Sequence, residues 1–136
     1  MRRNVVASLM LLVASCSQNN NGGPVANSNQ NMVMDKYWKT YDYKRNGTAD
    51  AGVVAQQPTF QFRSDSKLYF SQISPVFRDT FNYLFINSDN IKLTKPQVST
   101  AFYINMKIDR LTDHDFDFTM TDNQTTNTNN YKTTRQ

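Results

Sequence analysis

The sequence contains no glutamate, one cysteine, one histidine and one tryptophan among 136 residues, with four glycines and four prolines. Each shortage excludes something. A single cysteine cannot form an internal disulfide, so the folded part depends on packing alone. A lone histidine, His114, with no second cysteine or histidine leaves no zinc-ligand spacing. Four scattered glycines provide no phosphate-cradling loop. The missing glutamate, together with abundant threonine and aromatics, weakens any helical reading, while the many asparagines and aspartates favour turns. The longest apolar run, Val5 to Val13 broken only by Ser8, is roughly half the ~20 residues a membrane-spanning helix needs.

That short run is informative in its setting. Arg2 and Arg3 precede it, and Val13-Ala14-Ser15-Cys16 places small residues directly before the only cysteine, the layout of a secretory signal peptide. The stretch "LVASC" resembles the lipobox of bacterial lipoproteins. That resemblance implies cleavage after residue 15, a diacylglycerol thioether on Cys16 and a further fatty acyl chain (palmitate-like) on its new amine. Each buried methylene contributes about 0.8 kcal/mol, so two or three chains anchor a protein durably where one does not. The next residues, "SQNNNGGPVANSNQN", carry no charge and little that is apolar, which predicts a flexible tether through residue 33. Ser17 in place of an aspartate implies, by the same resemblance, the outer membrane.

Removal of Arg2 and Arg3 with the signal peptide leaves thirteen cations against eleven aspartates, a net charge of about +2. No three cations adjoin, so no nucleic-acid partner is expected. The composition places one domain at residues 34–122, with a disordered polar tail at 123–136 ("NQTTNTNNYKTTRQ").

Within the domain the period is two. "TFQFR" sets Phe60 and Phe62 on one face; "KLYFSQI" opposes Leu68 and Phe70 to Tyr69 and Ser71. "TFNYLFIN" is apolar on both faces, with Phe81, Tyr83 and Phe85 against Leu84 and Ile86, as a central strand, or one where the sheet curls on itself, would be. "IKLT" turns Ile91 and Leu93 inward. "TAFYINMKI" lines one face with Phe102, Ile104, Met106 and Ile108, and "FDFTM" returns with Phe116, Phe118 and Met120. Turns every eight to twelve residues predict a mainly β fold, a small antiparallel meander closed as a barrel or folded as a sandwich. "SPVFRDTF" admits one short helical turn with Pro75 at its first position. "DKYWKTYDYK" reads as a strand with Tyr37, Lys39, Tyr41 and Tyr43 on one face, and "NGTADAG" after it as loop.

The succession of a Trp-containing first strand, "TFQF", "KLYF", "FNYLFINSDNIKL" and "AFYINMKIDRLTDHDFDF" resembles small lipocalin-like lipoproteins of Bacteroidota over roughly residues 36–121. The resemblance implies a lipocalin-like barrel; it carries over no functional residue.

Candidate sites are few. "TDHDFD" alternates Asp113, Asp115 and Asp117 around His114 as a calcium loop would, but Phe118 stands where such a loop needs glycine, and a turn entering a strand accounts for it better. No nucleophile–base–orienter set can be assembled, so no catalysis and no cofactor are expected. Trp38, Tyr41, Tyr43, Tyr83 and Tyr103, with apolar rings and polar tips, are the residues that would line a ligand mouth; as core and cross-strand pairs they need no ligand. The expectation is a lipid-anchored, non-catalytic envelope protein binding a small apolar ligand or a partner protein. The alternative is an assembly accessory of an envelope or secretion complex. An inhibitor of another enzyme would need a protruding loop, for which "NGTADAGVVAQQP" is the candidate.

Overall fold

A computed structural model describes residues 28–96, 98 and 101–136. Helix α1 (Ser28–Val33) leads into β1 (Tyr37–Arg45), a short β2 (Thr48–Ala49) and helix α2 (Ala51–Ala55). Then follow β3 (Thr59–Phe62), β4 (Lys67–Ile73), β5 (Val76–Phe85), β6 (Asn90–Thr94), β7 (Ile104–Leu111), β8 (Asp115–Asp122) and β9 (Thr128–Arg135). From β3 onward each strand pairs antiparallel with the next, and β9 pairs with β1, which also pairs with β3. The result is a closed eight-stranded antiparallel barrel, with β2 appended to β1 as a hairpin. Of the two architectures the sequence allowed, the barrel is the one formed, and closure removes the unpaired edges a sandwich would retain.

The alternation read from the sequence sets the interior. Phe60, Phe62, Leu68, Tyr83, Ile91, Leu93, Met106, Ile108, Phe116 and Phe118 are buried together, with Phe70, Phe81, Phe85, Ile104 and Met120 packed against them. Aromatic rings fill the lower barrel edge to face: Phe62 meets Tyr83 at 5.1 Å and Phe116 at 5.8 Å. Leu84 and Ile86 are exposed, so β5 is apolar on both faces without being covered on both.

Several expectations need correction. The polar stretch 123–136 is no disordered tail: β9 completes the barrel, paired along its length with β8 and β1. Its inner side is polar but satisfied. The Thr133 hydroxyl donates to the Phe116 carbonyl at 2.5 Å, and Asn129 accepts from the Tyr43 hydroxyl at 2.5 Å. The folded unit also begins before residue 34, because α1 lies across one end of the barrel. Val33 is fully buried, its carbonyl accepts the Trp38 indole N–H at 3.2 Å, and Asn29 donates to the Ser88 carbonyl at 2.8 Å.

Strand β1 does not hold four residues on one face. Its register with β9 shifts between Thr40 and Asp42. Tyr41 is the extra residue of a bulge, and Tyr43 turns inward while Tyr37 and Tyr41 remain outside. "SPVFRDTF" contains no helical turn: Ser74 and Pro75, joined by a cis peptide bond, form the β4–β5 turn, and β5 starts at Val76. "NGTADAG" is not simply loop, and the longer candidate "NGTADAGVVAQQP" holds β2 and α2. Asn46 and Gly47, both at positive φ, make the two-residue turn of the β1–β2 hairpin.

On the β3 side, the ladder of β1 ends at Lys39 and resumes with β2 at Lys44. That seam is spanned by α2, whose N-terminus is capped by Asp50 accepting from the Gly52 and Val53 amides at 3.0 and 3.2 Å. Two backbone bonds, Thr40 N–H to the Pro58 carbonyl and Asp50 N–H to the Tyr43 carbonyl, tie the segment to β1. A third, from Ile73 to Gln56, ties it to β4.

Candidate functional site

The strands run alternately toward and away from α1, which gives the barrel two unlike ends. At the α1 end lie the 63–66, 87–89 and 112–114 turns. At the other lie the Ser74–Pro75 turn, the C-terminal end of β6, the N-terminal end of β7 and the 123–127 turn. Large side chains fill the first end; the second is partly open.

Between β3, β4, β5, β8 and β9 near the open end lies a cavity of about 180 Å³. Its walls are Phe60, Leu68, Phe70, Phe77, Phe81, Met120 and Tyr131. One carboxylate, Asp79, joins them, because its register opposite Phe70 directs it inward. Asp79 accepts an ion pair from Lys95 at 2.7 Å, and the same ammonium stands 5.8 Å from the Phe81 ring centre. The cavity is therefore an apolar cup with one charged pair at its lip. Drug-sized ligand pockets run from roughly 300 Å³ upward, whereas an apolar cavity of about 150 Å³ accepts benzene. This cup fits one ring or a short alkyl segment rather than a whole lipid.

The aromatic residues singled out from the sequence do not converge on it. Trp38, Tyr43 and Tyr83 are buried: Trp38 at the α1 end, Tyr43 against Tyr131 at 4.9 Å, and Tyr83 with its hydroxyl on the Arg63 carbonyl at 2.8 Å. Burial raises the Tyr83 hydroxyl above the ordinary phenol range. Tyr41 stands on the outer wall. Tyr103 also lies outside, 4.4 Å beneath the Lys92 ammonium. Cys16 lies outside the described residues. Of the lining residues, Phe70 and Phe81 were missed because an inward aromatic near the open end has the same sequence period as one in the packed core, and Phe77 and Tyr131 because their stretches read as a helical turn and a polar tail. Tyr131 is half-buried among these rings, and desolvation pushes its hydroxyl far above the phenol range.

The "TDHDFD" stretch forms the β7–β8 turn and the start of β8. The Thr112 hydroxyl accepts from the His114 and Asp115 amides, Asp115 pairs with Arg110 at 2.6 Å, and Phe116 and Phe118 point inward. Among the described residues, no three histidine, cysteine or acidic side chains are gathered as metal ligands would be. Asp117 faces outward but is partly covered. Burial raises its carboxyl above the ordinary range, against the lowering influence of Arg110.

No protein-family model matches the chain, and none of the curated proteins or solved structures compared with it matches either.

Proposed function

We propose that this protein is a lipid-anchored lipoprotein of the bacterial outer membrane whose lipocalin-like barrel binds the apolar end of a small ligand without catalysis. The "LVASC" lipobox and its preceding apolar run support the anchor at Cys16. The observation that carries the binding reading is the apolar cup of about 180 Å³, open at one end and bearing the Asp79–Lys95 pair at its lip. The described chain begins with α1 at the opposite, filled end. On this reading the tether joins there, and the mouth is presented away from the lipid surface. Fatty acyl chains on Cys16 are the membrane contact, and the ligand reaches the cup from the aqueous side.

The test is a titration of toluene into isotope-labelled protein, followed by the methyl resonances. Leu68 and Met120 should shift together, and Met120→Trp, which fills the cup, should abolish the effect. Shifts confined to residues 73–77, or none, would exclude the cup as a binding site.

A second reading has its own support. Ile73, Val76 and Phe77 at the β4–β5 turn are 59, 78 and 45% exposed, an apolar tip that a monomer has no internal reason to display. In that reading the barrel is an assembly accessory and the tip docks on an envelope protein.

A further inference from the structure

The outer wall of β1, β3, β4 and β5 holds a larger depression, about 500 Å³, which shares only Phe70 and Asp79 with the lining of the cup. Its floor consists of two rungs of outward side chains set by strand register. One rung runs Tyr37, Gln61, Tyr69, Thr80; the next runs Lys39, Thr59, Ser71, Arg78. Adjacent strands lie about 4.8 Å apart, so Tyr37 and Tyr69 stand roughly 10 Å apart with the Gln61 amide between them. Both rings are open to solvent, Tyr37 at 52% and Tyr69 at 40%. The Arg63 guanidinium lies 5.9 Å from the Tyr69 ring centre at one margin, and Arg78 closes the other.

The charge on this wall is one-sided. Strands β3 to β6 contain a single acidic residue, Asp79, which borders the depression as well as the cup and has its carboxylate paired with Lys95 at 2.7 Å. The outward carboxylates within strands are Asp42, on the β9 side of β1, and Asp109, Asp115 and Asp117 on β7 and β8, while the exposed Asp35 and Asp65 lie in the turns at the α1 end. The described ion pairs engage Lys95, Lys107, Arg110 and Lys132. Arg63 and Arg78 line the depression and Lys39 stands beside it opposite Thr59, and none of the three forms an ion pair among the described residues.

We propose that this groove binds an acidic oligosaccharide, its sugar faces lying on Tyr37 and Tyr69 and its carboxylate or sulfate groups held by Arg63, Arg78 and Lys39. Tyrosine offers an apolar face to the C–H side of a sugar and a hydroxyl to its rim. Gln61, Thr59, Ser71 and Thr80 supply both donors and acceptors to sugar hydroxyls. Guanidinium groups match carboxylate and sulfate oxygens in geometry as well as charge. An acidic peptide fits less well. Extended peptides are usually read by strand addition, and the strands beneath the groove are hydrogen-bonded on both sides.

Calorimetry with the full-length protein tests this, using trigalacturonate, a heparin tetrasaccharide, maltotriose and hexa-aspartate as probes. At least one acidic sugar should bind, more tightly than maltotriose and hexa-aspartate. Tyr69→Ala and Arg78→Ala, both surface changes that should preserve the amide spectrum, should each weaken it by about tenfold. Lys132→Ala on the opposite wall should leave binding unchanged. Failure of both acidic sugars to bind, equal binding of maltotriose or hexa-aspartate, or equal weakening by Lys132→Ala would each overturn the proposal.

Discussion

The ring of Tyr131 stacks on that of Phe118, with centroids 5.1 Å apart and planes inclined by 19°. Tyr131 also meets Phe60 edge-on at 5.2 Å and Tyr43 at 4.9 Å. A single aromatic from a polar strand is thus a junction of four rings contributed by β1, β3, β8 and β9.

Removal of residues 124–136 should accordingly unfold the domain. It deletes β9, exposes the ladder edges of β1 and β8 together, and takes Tyr131 out of the core. Far-UV circular dichroism of the truncated chain should show the loss; a native-like spectrum with an unchanged melting temperature would show that β9 is dispensable.

Neighbouring substitutions in β7 should differ sharply. Met106 is fully buried, and Met106→Ala should cost about 2–5 kcal/mol through lost transfer energy and a cavity. Asn105 faces out, and Asn105→Ala should stay within about 0.5 kcal/mol. Urea midpoints measure both, and comparable losses would contradict the inward–outward alternation.

Asp117 gives a pH effect of defined sign. Burial raises its carboxyl in the folded chain, so the folded state binds the proton more tightly than the unfolded one. Stability therefore falls as pH rises from the ordinary carboxylate range through the raised value, and at neutral pH the ionised group is a net cost. Asp117→Asn should stabilise at neutral pH by at most about 1 kcal/mol, since the site is only partly covered. The gain should shrink as the pH approaches about 4. Thermal melts at the two pH values decide it; a variant less stable at neutral pH would mean that the attraction of Arg110 and Lys132 outweighs burial.

The proposed anchor has a direct test. Cys16→Ser removes the one thiol the lipobox chemistry uses, so the variant should leave the detergent phase or retain its first fifteen residues. Unchanged mass and phase partitioning would exclude lipidation at Cys16.

Much of the barrel was legible because six of its eight strands carry inward apolar residues at period two. Phe60 with Phe62, Leu68 with Phe70, and Met106 with Ile108 are read directly from spacing. Strand β9 was not legible, since its inward positions are Asn129, Tyr131 and Thr133, and two of those satisfy polar groups instead of burying hydrocarbon. The face of Tyr43 was hidden for another reason: one extra residue at Tyr41 reverses everything after it, and a bulge leaves no mark in composition. The cup escaped detection because a gap depends on which inward rings fail to meet, a three-dimensional property of Phe70, Phe81 and Met120. The outer groove depends on register, which aligns Tyr37, Gln61 and Tyr69 from three strands distant in sequence.

The seam between β1 and β3 makes the wall mechanically uneven. Elsewhere around the barrel the staves are joined by ladders broken at most by a single-residue bulge; here a single helical turn and a few isolated backbone bonds close the gap. Segments held by few buried contacts open at lower free energy than the whole domain. The amides of Val53 to Gln57 should therefore exchange with deuterium well before those of β7 and β8, through a local hinge that leaves the ladders intact. Such a seam lets a stiff barrel breathe on one side, close to Tyr43 and the ring junction at Tyr131, without losing its closure.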